Sequence, residues 1–335
     1  MKIRFLFLTI LVHILLISCK QEKQYYEVAG QLHTPYHIKF EHNSPLEKEI
    51  DEQLKYFYHL FNAFDSTSVI SRVNRNESME VDTLFQRAFH KAMEVSANTQ
   101  GAYDVTCAPL INLWGFGFNR KDSVTPRTID SVRQFIGYQK VQIEKGLVVK
   151  QDPRLIMNFS SLADGAVCDM IAQMLEKHDV QNYLVEFGGE MRVKGINPKG
   201  EPWRLGITKP TDDVMGANQE LQQIVHFPQP LGMATSGNYR NFYVKDGKRY
   251  AHTIDPREGE PVQRDILSAT IVAPDAMTAD AYATAFMVLG SKEAKALAEK
   301  VTDIEYYIIC ADSTREAYRI EYSDGFRQFL VKKEP

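Results

Sequence analysis

The sequence predicts an α+β fold: one folded unit on a mixed, largely antiparallel sheet with flanking helices. Three observations predict it. Helix-like stretches with three- and four-residue apolar spacing and runs of short strand-like segments fall in blocks, without the regular alternation of a doubly wound parallel sheet. No Pro- or Ser-rich linker, low-complexity block or internal repeat divides the chain. With 335 residues, 44% hydrophobic and 24% charged, it is long enough to bury a large core.

The first segment stands apart. Lys2 and Arg4 make a basic start, Phe5 to Ile17 is almost wholly apolar, and Leu16-Ile17-Ser18-Cys19 closes the run. Such a run is well short of the roughly 20 residues that span a bilayer, so it reads as an export signal. Its ending resembles the bacterial lipoprotein box, in which the cysteine is acylated and becomes the new N-terminus. The alternative is an ordinary cleaved signal with Cys19 incidental. Acyl chains hold firmly, since each buried methylene contributes about 0.8 kcal/mol. Residues 1–18 are therefore expected to be a signal peptide and 19–28 a lipidated cysteine and tether, of which Lys20 to Tyr25 is polar; 29–335 form the body. The body would then lie outside the cytoplasm, on the periplasmic side of an envelope membrane.

The elements follow in order. Tyr36, Ile38 and Phe40 alternate with polar neighbours as in a strand, and Leu46, Ile50, Leu54, Phe57, Phe61 and Phe64 recur at helical steps. Helices are expected at Asp82–Thr99, closed by Gly101, and from Thr128 to Ile136; strands at Leu147–Val149 and Leu155–Phe159. Ser160 or Ser161 can cap a helix whose apolar positions include Val167, Met170, Ile171 and Met174. Short strands then dominate: Tyr183–Phe187, Met191–Val193, Trp203–Ile207, Asn241–Val244 and Ser268–Val272. Thr278 opens a helix ended by Gly290, Ser291 opens another to about Val301, and strands return at Tyr306–Ile309, Ala317–Tyr322 and Gln328–Val331.

A net charge of -4 with dispersed Lys and Arg gives no footprint for a nucleic-acid backbone, and none is expected as a partner. Cys107, Cys168 and Cys310 are widely spaced and contain no CxxC pair, so they read as small buried residues.

Several segments could carry chemistry. In Met277-Thr-Ala-Asp-Ala-Tyr-Ala-Thr-Ala285, Asp280 and Thr284 are four apart and share a helix face. A carboxylate and a hydroxyl suit Mg²⁺, which takes one or two protein carboxylates and fills its octahedron with phosphate and water. Read alone, the pair is equally a solvated first-turn acid and a self-satisfied threonine. Asn158-Phe-Ser-Ser-Leu-Ala-Asp-Gly-Ala166 runs from a strand end into a helix start, a place that favours phosphate; Asp164 counts against direct phosphate contact and could instead accept from a ribose or a base, and a plain capped helix reads the segment equally well. Phe187-Gly-Gly-Glu-Met191 reads as a tight turn. His252, in Tyr250-Ala-His-Thr-Ile-Asp-Pro-Arg257, is the natural proton carrier, although most lone histidines are structural. No Gly-x-Ser-x-Gly elbow occurs, which argues against a serine hydrolase.

Together and in order, these segments resemble the FAD:protein FMN transferase family, also called ApbE. The resemblance rests on Ser66–Asn74, Gly101–Gly117, Tyr183–Gly195, Thr235–Phe242, His252–Pro256 and Met277–Gly290. It implies one site where FAD, as substrate, lies against Mg²⁺ held by Asp280, Thr284 and an oxygen of the Ser161 to Ala163 turn. Flavin and adenosine contacts would come from Phe64, from Ala102, Tyr103 and Asp104, from Asn158 and Asp164, and from the strand ending at Ile254. His252 would handle the proton, with Asp255 as the next candidate. Two departures are Asn158 and Asp164, where family members commonly carry Asp and then Lys or Glu. FMN would pass from FAD to a Thr or Ser hydroxyl of an acceptor protein, with AMP leaving. Acceptors resembling subunits of Na⁺-translocating NADH:quinone reductase or Rnf-type complexes are implied. A FAD pyrophosphatase and a non-catalytic FAD-binding lipoprotein remain open at this stage.

Overall fold

The computed structural model describes residues 23–117, 124–210, 220–238, 242–245, 248–312 and 318–331. The signal segment and Cys19 lie outside the described residues. The strands are β1 (Gln24–Gln31), β2 (Pro35–His42), β3 (Val141–Glu144), β4 (Leu147–Lys150), β5 (Tyr183–Phe187), β6 (Glu190–Lys194), β7 (Trp203–Thr208) and β8 (Leu221–Phe227). They continue as β9 (Leu231–Gly237), β10 (Phe242–Lys245), β11 (Lys248–Ala251), β12 (Ile254–Asp255), β13 (Glu260–Pro261), β14 (Ile266–Ala273), β15 (Glu305–Ala311) and β16 (Tyr318–Tyr322). The α-helices are α1 (Glu47–Phe61), α2 (Val69–Asn74), α3 (Thr83–Asn98), α4 (Ala108–Leu113), α5 (Pro126–Arg133), α6 (Ala163–Lys177) and α7 (Ala276–Ala298).

One eight-stranded sheet, ordered β1-β2-β5-β6-β9-β14-β15-β16, forms the scaffold. Each neighbouring pair in it is antiparallel. Successive strand residues point to opposite faces, so each strand feeds two cores. Ile271 and Ile308 face the helical side, with α1, α3, α6 and α7. Their neighbours Val272 and Ile309 face a second layer made by β7, β8 and Phe326 and Phe329 near the C-terminus. A small third cluster, including Leu110, Trp114, Ile129 and Ile254, sits beside the site described below.

Several local expectations need correcting. Strand β1 starts at Gln24, inside the stretch expected to be tether, and pairs residue for residue with β2. Leu155, Met157 and Phe159 are buried as their alternation suggested, but the segment is not a strand. Its backbone is satisfied singly, by Asn74 Oδ1 at Met157 N and Val105 O at Asn158 N. Helix α6 starts after Leu162 without a side-chain cap, so neither Ser160 nor Ser161 caps it. The cap of α7 is Asp275, whose carboxylate accepts from Thr278 N at 2.7 Å. Gly290 breaks that helix as expected, with φ 78° and ψ 167°. The C-terminal segment is a 3₁₀ turn over Gly325–Phe329, and Leu330 alone bridges Val225.

Candidate active site

The site grows from the meeting of two helix N-termini. A Cβ at Gly165 would lie 2.3 Å from Ala276 O, and one at Gly232 would lie 2.2 Å from Ala276 N; only glycine lets α6, β9 and α7 approach this closely. Across that contact each helix start is tied to the other. Asp169 on α6 accepts from Ala276 N and Met277 N at 2.9 Å each. Gly165 N in turn donates to Asp280 Oδ2 at 3.1 Å. Free N–H groups at helix starts are thus satisfied by carboxylates of the partner helix. Asp280 is consequently fixed, only 6% exposed. Thr284, one turn on, lies 3.3 Å from Ser236 Oγ on β9.

Two adjoining cavities open here. The first, about 370 Å³, is lined by ten of the residues expected from sequence: Ala102, Tyr103, Asp104, Asn158, Ser161, Asp164, His252, Ile254, Asp280 and Thr284. The remaining two, Phe64 and Ala163, line the second, about 790 Å³. Asn158, Ser160, Asp164 and His252 belong to both walls. The second cavity is an aromatic slot with Phe57, Tyr58, Phe61 and Phe116, and Phe64 stands at its rim 82% exposed. The fold therefore gathers residues from positions 64 to 284 into one groove with a polar end and an aromatic end.

Electrostatics at the polar end are unusual. Burial pushes the Asp280 carboxyl up to about 8; the Gly165 N–H opposes this, while Asp164 and Asp169 add to it. Glu190, on β6, is pushed well above the carboxylate range by burial and by Asp280 and Asp164. Asp169 is raised to about 7, by burial first and Asp275 next, against its two N–H donors. Four carboxyl side chains, Asp104, Asp164, Glu190 and Asp280, line this cavity together with the hydroxyls of Thr235, Ser236 and Thr284. Among the described residues no Lys or Arg lines either cavity.

The donor set fits a hard divalent cation. Asp280 supplies one anionic oxygen and Thr284 a neutral one, while Ser161 Oγ gives its proton to the Tyr103 hydroxyl at 2.9 Å and keeps its lone pairs. Among the described residues no three His, Cys, Asp or Glu side chains converge to hold a metal by themselves. A site of one carboxylate and neutral oxygens leaves positions for substrate phosphate and water, as Mg²⁺ requires.

Two expected residues have other duties. Asp104 lines the first cavity, but its carboxylate accepts from Thr106 N and Oγ1 and from Tyr138 N, at 2.7–2.8 Å, so it braces its own loop. Asp255 is fully buried and clamped by Arg257 at 2.8 Å and Arg264 at 3.4 Å, which rules it out as a substitute base. Glu190, Ser236 and His33 were not singled out from sequence. For Glu190 the Gly-Gly-Glu turn was a signal; for His33 in the β1–β2 turn there was none.

Known proteins resemble this chain over most of its length. A model of the ApbE family matches residues 32–308. A Vibrio cholerae protein named FAD:protein FMN transferase is 34% identical over 331 residues, spanning 95% of this chain and 97% of its own. An Escherichia coli protein of the same name is 32% identical over 305 residues, 88% of this chain and 85% of its own. The solved flavin transferase ApbE of Vibrio cholerae superposes with a TM-score of 0.81 at 33% identity, covering 92% of this chain and all of that one. The apo form of Pseudomonas stutzeri flavinyl transferase ApbE also gives 0.81, at 28% identity over 92% of this chain and 98% of its own. With the family model matching residues 32–308 and a relative 34% identical over 95% of its length, this chain belongs to the ApbE family.

Proposed function

We propose that the chain transfers FMN from FAD to a Thr or Ser hydroxyl of an acceptor protein, releasing AMP in a Mg²⁺-dependent reaction. One observation carries the cation requirement: four carboxyl side chains, Asp104, Asp164, Glu190 and Asp280, line the polar cavity and, among the described residues, no Lys or Arg does. With no Lys or Arg there to offset the charge of a dianionic diphosphate, a cation must accompany it. Asp280, Thr284 and an oxygen of the Ser161–Ala163 turn would hold Mg²⁺, which when bound neutralises diphosphate charge. The aromatic cavity suits the flavin ring, and the shared wall positions the segment between ring and diphosphate. His252, on both walls, takes the proton as the acceptor oxygen bonds to the FMN-side phosphorus and the bond to the AMP oxygen breaks. No enzyme nucleophile is needed.

The test incubates the chain with FAD, Mg²⁺ and purified candidate subunits of membrane redox complexes. An acceptor mass gain of one FMN, with AMP in equal amount, supports the proposal. AMP release without an acceptor would identify a pyrophosphatase, and tight FAD binding without turnover a storage protein. We further propose that Cys19 carries the lipid anchor, with the body on the periplasmic side. Among the described residues no helix is long and apolar enough to cross a membrane.

A further inference from the structure

We infer that His33 is a positioning residue that holds Asp164 ready to accept the hydroxyls of a vicinal diol in the substrate. The inference rests on the FAD reading above and adds a specificity device to it. His33 sits in the turn between β1 and β2, 25 residues from Tyr58 and 131 from Asp164 in sequence, with its side chain 47% exposed. Its ring nevertheless has a partner on each side. Nε2 lies 2.8 Å from Asp164 Oδ1 at the start of α6, and Nδ1 meets the Tyr58 hydroxyl on α1. Three segments distant in sequence thus converge on one imidazole, and all three residues line the aromatic cavity.

The consequence lies at Asp164, which belongs to both cavities. With Oδ1 engaged by His33, the carboxylate cannot swing, and Oδ2 is directed toward the Gly188 turn. A Cβ at Gly188 would lie 2.9 Å from Thr34 Oγ1, 3.0 Å from Asp164 Oδ2 and 3.2 Å from Glu190 Oε2, so these oxygens converge where glycine leaves room. The Asp164 oxygen can accept there, and polyol hydroxyls are the donors that match it. A ligand with its ring in the aromatic cavity and its diphosphate in the polar one places a polyol beside this wall. FAD offers two such groups, the ribityl chain and the adenosine ribose. An imidazole that fixes a carboxylate lowers the ordering cost of binding.

The test measures FAD turnover and, by equilibrium dialysis with Mg²⁺, FAD binding by the full-length chain. His33→Ala should raise both KM and Kd for FAD about tenfold, as loss of a hydrogen bond to a charged group does, while kcat falls no more than twofold. His33→Gln, which keeps an N–H at similar reach, should recover most of the loss. In an Asp164→Ala background, His33→Ala should add nothing further. FAD lacking the ribityl hydroxyls and FAD lacking the ribose 2′,3′-hydroxyls identify the diol: one should lose affinity with the wild-type chain and not with Asp164→Ala. Additive effects of the two alanine substitutions, an unchanged KM in His33→Ala, or full affinity for both analogues would overturn the inference. A wild-type chain that binds no FAD would instead overturn the reading beneath it.

Discussion

At the scale of single residues, Asp280 as the proposed Mg²⁺ ligand would couple metal binding to protons. Its carboxyl is raised to about 8, so near neutral pH the metal-free protein mostly holds that proton and a cation must displace it. Mg²⁺ affinity should therefore fall as pH drops below about 8, by roughly tenfold per unit, and calorimetry in buffers of different ionisation enthalpy should show proton release near pH 7. The sign for stability is opposite to that of a salt-bridged acid. The folded state binds the proton more tightly than the unfolded one, so this group's contribution is present at low pH and is lost as pH rises through about 8. Asp280→Asn should remove the proton release and Mg²⁺-dependent turnover while the chain stays folded; retained turnover at limiting Mg²⁺ would contradict the site. For His252, replacement by Ala should lower turnover about a hundredfold with FAD affinity nearly unchanged. Weak binding with normal saturated turnover would make it a ligand contact. Asp280 and Thr284 were legible because a four-residue step fixes two side chains on one helix face. Glu190 and His33 were not, because a turn residue's direction depends on which distant strand pairs beside it.

At the scale of elements, the joined starts of α6 and α7 set the site. Gly165→Ala would drive a Cβ against the Ala276 carbonyl and separate the two helices. It should lower stability by about 1–3 kcal/mol, as overpacking does, and weaken Mg²⁺ binding as well, because the Gly165 N–H that steadies Asp280 moves with it. Thermal unfolding and calorimetry on one preparation would check both; weaker stability with intact Mg²⁺ affinity would separate packing from site geometry. Amphipathic spacing revealed α1 and α3, since each buries a single stripe, whereas α7 is buried almost all round and was marked by its end signals, Thr278 and Gly290. The capping residues were misread: Asp275 rather than Thr278 caps α7, and α6 starts after Leu162 with no side-chain cap although Ser160 and Ser161 lie just before it. Strand β8, Leu-Gln-Gln-Ile-Val-His-Phe, went unread because only one of its faces meets apolar partners and polar side chains interrupt the other.

At the scale of the whole molecule, the antiparallel sheet was legible from the blocks of short strands, but its order was not. Strand β2 pairs with β5 across more than a hundred residues, and nothing in either segment names its partner. Strand β1 begins at Gln24, five positions after Cys19, so an acylated chain would carry its body close to the membrane. Cys19→Ala should shift the protein from the membrane fraction to the soluble one, or leave it unprocessed; a cleaved variant still on membranes would refute the anchor. The division of the groove has an optical consequence. A flavin ring stacked among Phe57, Tyr58, Phe61 and Phe64 would emit weakly, because excited isoalloxazine is quenched by electron donation from a neighbouring tyrosine. Transfer carries the ring out of that slot on the acceptor, so emission should brighten with each turnover. The enzyme would then supply its own continuous assay: brightening that waits for the acceptor reports group transfer, and brightening that begins before the acceptor is added reports water in its place.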